Sequence, residues 1–170
     1  MASAELSQFP LTAQGLVARL PLLMQLADFQ RALNEEFDNS LHADRYRPGA
    51  ALGRLRAGVE LLCDLQQDVL HPALAATREA AWPALQQAMR DAAALRELAV
   101  SAERTGEAQQ RALVSLLAGL VQLQLASLDE LLATADAARM PWGTLTSQTH
   151  RLLHGWPALQ APGEGTLSAA

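Results

Sequence analysis

The chain has 170 residues, is 50% hydrophobic and only 4% aromatic, and carries a formal charge of −5. That length suits one domain with a sizeable core, and the apolar half excludes a disordered chain. The acid excess argues against non-specific nucleic-acid binding, which needs a net positive face.

Leu and Ala dominate the apolar residues, Ile is absent, and all 13 basic residues are Arg. Ala and Leu lead the helix scale, whereas strands favour β-branched and aromatic residues, so the fold class expected is all-α. Arg without Lys, Val without Ile and abundant Ala match the mutational bias of a GC-rich bacterial genome.

Residues 1–10 are expected to form a flexible leader. They lack a basic segment followed by an apolar one, so no secretory signal is expected and the cytoplasm is the expected location. Leu11–Leu20 is predicted as a short helix ending or kinking at Pro21. The first long helix then runs to about Ser40, with Leu22, Leu23, Leu26, Phe29, Leu33 and Phe37 at helical spacing. A linker follows, with Asp44, Pro48 and Gly49 as turn formers. The second helix spans about Ala50 to Leu70 on the seam Leu52, Leu55, Val59, Leu62, Gln66 and Val69. His71-Pro72 is expected to end or bend it.

Trp82-Pro83 starts the third helix, with Leu85, Met89, Ala92, Leu95 and Ala99 as its inner stripe. After a loop at Thr105-Gly106, the fourth helix covers about Ala108 to Arg139 on the seam Leu113, Leu117, Leu120, Gln124, Leu128, Leu131 and Ala135. Residues 112–128 carry no charge. They are fewer than the ~20 a membrane span needs, and they include Ser115, Gln122, Gln124 and Ser127, so a buried bundle helix is expected and no membrane contact. Met140-Pro141 stops this helix, a short one follows over about Thr146 to His154, and 157–170 is expected to be a flexible tail. The predicted architecture is an antiparallel up-down four-helix bundle with a short C-terminal fifth helix, one domain over 11–156.

Candidate chemistry is sparse. Asp68-x-x-His71 is a single approximation to the Glu-x-x-His motif of di-iron bundles, which need it twice. His150 and His154 stand four apart and share a helix face, the spacing of a helical metal pair. These four residues are the candidate metal ligands, though neither a metal nor another cofactor is expected. Cys63 lies in an apolar run and reads as an inert buried thiol. No Gly-x-Ser-x-Gly or Walker-type glycine loop occurs, so no catalytic residue is assigned. An enzyme would need a desolvated acid such as Asp129 beside Gln124 or Gln66. Arg45, Tyr46, Arg47, Arg54 and Arg56 form a basic patch suited to an anion or an acidic partner, and Trp142 and Trp156 are candidate exposed anchors. Gln66 and Gln124 occupy seam positions where Leu would stabilise more, so either they pair across the core and fix register or a small rotation places each amide at the core edge.

Asp28-Phe29, then Leu62, Gln66, Gln67 and His71-Pro72-Ala73-Leu74, then Leu125, Asp129 and Glu130 resemble the hemerythrin-like four-helix bundles over about residues 20–135. That family carries an Asp-His pair in its first helix and His followed four residues later by Glu in its second and fourth. The resemblance implies ligand positions at Phe29, Leu62, Gln66, Ala88, Leu125 and Asp129, of which only Asp129 is able to ligate, and so a cage replaced by packing. Trp82-Pro83-Ala84-Leu85 and Ala137-Ala138-Arg139 are similar to segments of anti-sigma-factor bundles. The leading functional expectation is a non-catalytic bundle acting through protein contacts, as a regulator or adaptor, with a protein partner or self-association. The alternatives are a metal- or small-ligand-binding bundle in oxygen or iron sensing, and an enzyme of unknown type.

Overall fold

The computed structural model describes residues 13–42, 48–77, 82–135 and 138–160. Every regular element among them is helical: α1 (Ala13–His42), α2 (Pro48–Asp64), a π-helical segment (Leu65–Leu70), α3 (His71–Thr77), α4 (Trp82–Arg104), α5 (Glu107–Thr134), α6 (Trp142–Leu153) and α7 (Pro157–Gln160). The residues predicted as the leader, the 43–47 part of the linker and the last ten residues of the chain lie outside this set.

Contacts run α1 to α2, α2 to α4, α4 to α5 and α5 to α1, the closed square of an up-down bundle. Short connections force antiparallel neighbours. The predicted seam of the second helix is the one that is buried, from Leu52 to Val69. On α5, Leu117, Gln124, Leu128 and Ala135 of the expected seam are buried, but the rest of the inner face is made by Val114, Val121, Leu125 and Leu132, while Leu120 looks outward. On α4, Ala88 takes the inward place expected of Met89.

The fourth helix stops at Thr134 instead of Arg139, and the short helix after it starts at Trp142, directly after Pro141, instead of at Thr146. Two boundaries predicted at prolines are corrected as well. Pro21 neither ends nor starts a helix; it lies inside α1. Its ring is exposed and the missing N–H costs one ladder bond, while Leu22 and Leu26 on the following turn anchor the chain in the core. His71-Pro72 likewise does not stop helix 2. The helix widens to a π turn, the His71 N–H reaches the Gln66 carbonyl, and α3 carries on to Thr77. Because Pro72 brings no N–H, the α ladder is interrupted there in any case, and the wider turn absorbs the break.

The core forms two apolar clusters. One centres on Phe29, Leu33, Leu55, Leu62, Leu117 and Trp156, the other on Leu22, Leu65, Leu70, Leu85, Leu132 and Trp142. α6 lies against α1 and the π segment, and α7 returns to α1. Residues 157–160, expected within the tail, are thus helical, and Ala158 and Leu159 pack on the first cluster. Trp156 meets Phe29 edge-on at 5.3 Å between ring centres, and its indole N–H donates to the Arg54 carbonyl at 3.3 Å. It seats over Gly58, where a Cβ would lie 2.5 Å from the ring. Gly58→Ala is therefore expected to destabilise by about 1–3 kcal/mol, overpacking outweighing the helix-propensity gain. Urea unfolding followed by circular dichroism measures the loss, and a Gly58→Ala protein as stable as the parent contradicts this packing.

Candidate functional site

The polar centre of the bundle is an amide layer. Gln124 Nε2 on α5 donates to Gln66 Oε1 at 3.0 Å and to the Ala88 carbonyl of α4 at 3.1 Å. Both side chains are almost fully buried, so the bonds form in a medium that strengthens them. Gln66 Nε2 is buried without a partner among the described residues. Phe29, Leu62, Gln66, Ala88 and Leu125, the positions to which the hemerythrin-like resemblance assigns ligands, are all buried in this interior. Their side chains are hydrocarbon and one amide.

The candidate metal ligands do not converge. Asp68 is exposed while His71 is buried. Burial holds the His71 imidazole below its ordinary pKa, and neither ring nitrogen has a hydrogen-bond partner among the described residues. The exposed His150 and His154 rings stack on α6 at 5.3 Å, 28° apart. No three His, Cys, Asp or Glu side chains gather within metal-holding reach among the described residues. Cys63 is fully buried, its Sγ contacts the Ala92 carbonyl at 3.2 Å, and burial pushes its pKa up to about 11. A thiol so placed is a poor nucleophile at neutral pH.

The predicted partner surface is not assembled as expected. Arg45, Tyr46 and Arg47 lie outside the described residues. Arg54 Nε bonds both Glu36 carboxylate oxygens at 3.0 and 3.1 Å, and Arg56 spans Glu60 at 2.9 Å and Glu103 at 2.6 Å. These guanidiniums tie α2 to α1 and α4. Trp142 and Trp156 are buried, not exposed anchors. Each indole is a large apolar body, and closing the groove beside α1 removes it from water.

Two features were missed by the reading of the sequence. The first is a cleft of about 370 Å³ lined by Arg19, Leu23, Ala27 and Gln30 of α1, Asp129, Leu132 and Ala133 of α5, and Trp142. The Arg19 guanidinium lies 5.3 Å over the Trp142 ring. Arg19 is only 6% exposed, and its Nε and Nη2 are buried with no hydrogen-bond partner among the described residues. The cation–π contact offsets about 0.5–2 kcal/mol, less than the several kcal/mol that burying a charge costs. Asp129 thus faces Arg19 across this cleft and not Gln66 or Gln124, and burial raises its carboxyl pKa. Arg19 falls at helical spacing among apolar residues, four before Leu23, which is the signal that would have placed it inward.

The second feature is the outer face of α5. Leu116, Leu120 and Leu123 are 53, 37 and 69% exposed, and with Ala112, Gly119 and Ala126 they form an outward strip without a charge. Among the described residues this is the one helix long and apolar enough to cross a membrane, and a third of its most apolar stretch is buried. The expectation of a simply buried helix is corrected to a two-sided one: one face in the core, the other apolar and bare.

No family model, curated protein or solved structure matches the chain.

Two tests follow from the buried polar groups. Gln124→Leu leaves the Gln66 amide wholly unpaired and is expected to cost about 1–3 kcal/mol, while the double Gln66→Leu, Gln124→Leu variant loses less than the sum of the singles. Additive losses in a double-mutant cycle would refute the pair. For His71, the unfolded chain takes up a proton below the ordinary pKa of 6.5 whereas the fold resists it. The stability this histidine contributes is present above that value and lost as pH falls through the folded-state pKa. Unfolding free energies measured from neutral to about pH 5 should fall less steeply for His71→Leu than for the parent.

Proposed function

We propose that the chain is a non-catalytic helical bundle working through protein contact, in a regulatory or adaptor role, and that the outer face of α5 seats a second copy of the chain. The exposed Leu116, Leu120 and Leu123 carry the proposal. A contiguous apolar strip on a net acidic chain is a contact site or a liability, and it is longer than the second exposed apolar row, Val17, Leu20 and Met24 on α1. A second copy suits it for electrostatic reasons. The strip is uncharged, so a two-fold axis places no like charges together. Arg111 stands before it and Glu130 after it, so two antiparallel copies centred near Leu120 bring each Arg111 to the other copy's Glu130 end.

A lipid surface suits it less. Peripheral helices hold their place with cations beside the apolar face, whereas this chain has no Lys and a net charge of −5. The strip is about 21 Å long at 1.5 Å per residue. A single helix pair buries less than the ~800 Å² per partner of a standard interface, so a dissociation constant of about micromolar order is expected. The hemerythrin-like resemblance agrees with this reading, in that a bundle whose ligand positions hold Phe29, Leu62 and Leu125 is left with its surfaces.

Sedimentation equilibrium up to about 100 µM, well above a micromolar constant, tests the proposal. The parent is expected to dimerise and Leu123→Glu to stay monomeric with unchanged helicity. A monomeric parent overturns it, and so does a monomer that floats with phosphatidylcholine vesicles, which would make lipid the occupant.

A further inference from the structure

The cleft between α1, α5 and Trp142 lies apart from the α5 strip and asks for a different occupant. It holds one cation and one anion that form no ion pair within 4.0 Å of each other among the described residues. Arg19 is withdrawn from water, with two nitrogens unsatisfied among the described residues. Buried donors of that kind are ordinarily satisfied, and a guanidinium matches a carboxylate in shape and charge. A simple anion, however, would meet repulsion from Asp129. A simple cation would meet it from Arg19. The remaining walls, Leu23, Ala27, Leu132, Ala133 and the Trp142 ring, are apolar, with the Gln30 amide at the rim. The volume is at the small end of ligand pockets, ~300–1,000 Å³.

We propose that this cleft binds a small zwitterion of the α-amino-acid type, its carboxylate on Arg19, its ammonium on Asp129 and an apolar side chain against Leu23, Leu132 and Trp142. Such a ligand satisfies both charges at once, and its two charged groups sit on one end of an apolar body, as the lining requires. The Asp129 side chain is exposed and so open to an ammonium, while Arg19 is enclosed beneath it for a carboxylate. The site joins the first two-thirds of α1 to the end of α5, so occupancy would brace the bundle at the end where α6 begins.

Isothermal titration of the full chain with L-leucine, L-phenylalanine, leucinamide and 4-methylpentanoate tests this. The two amino acids are expected to bind, and leucinamide (no carboxylate) and 4-methylpentanoate (no ammonium) to bind at least about tenfold more weakly. Asp129→Asn should weaken leucine by a similar factor while improving 4-methylpentanoate, because the repulsion is gone. Arg19→Lys, which keeps the charge and the fold but loses the fork, should weaken leucine and leave leucinamide unchanged. No heat from either amino acid up to about 10 mM, or equal binding of the amino acids and their singly charged analogues, overturns the proposal. So does leucine binding that neither variant alters.

Discussion

The bundle turns on one hydrogen-bonded amide layer set between two apolar clusters. Hydrophobic packing is tolerant: four Leu- and Ala-lined helices can slide by a turn and still bury their faces. An amide cannot slide, because a buried donor or acceptor without a partner costs more than a shifted leucine. Gln124 reaches Gln66 on the second helix and the Ala88 carbonyl on α4 together, so three helices share one register. The two apolar clusters meet at this level, with Leu62 and Ala92 on one side and Leu65 and Leu85 on the other. Ala88 contributes through its smallness, since a larger side chain would keep α5 from approaching the backbone that Gln124 needs.

Much of this architecture was legible in the sequence, and the reason is periodicity. The Leu52-to-Val69 seam repeats at helical spacing without interruption, and Gln66 stood out because it is polar at an apolar place. α5 was harder. Nearly every position of its middle is apolar, so the pattern has no polar face to set its rotation, and the spacing puts Leu120 inward where Val121 is the buried neighbour. The prolines misled for a related reason. Pro21 and Pro72 are local signals against helix, yet each sits between turns that tertiary packing holds in place, and packing outweighs a single lost ladder bond.

The functional residues were less legible because exposure and pairing are tertiary facts. Arg54 and Arg56 look like a free basic patch in one dimension. In three they are struts, held by Glu36 from α1 and Glu103 from α4. Trp142 and Trp156 look like surface anchors because they flank a short terminal segment. Folded back on α1, that segment makes them core. Conversely, Arg19 and Asp129 lie far apart along the chain, and only the antiparallel pairing of α1 with α5 brings them to one cleft. The reading of surface and site thus depends on which helices are neighbours, while the reading of the core depends on each helix alone.

The π turn at Leu65–Leu70 has an implication for how this chain tolerates change in length. The buried row enters the turn through Leu62 and passes Gln66 and Val69 within it; beyond the turn it resumes at His71 and Leu74, one place later than a uniform α-helix would put it. The segment behaves as a stored one-residue insertion. Regularising the turn without removing a residue would swing everything beyond by roughly a hundred degrees, turning Leu74 toward solvent and Ala73 toward the core, whereas excising one residue there would let the α ladder close with Leu74 still inward. The irregular turn is therefore what keeps the two ends of this helix facing the same interior, and a more regular helix at that point would make a poorer bundle.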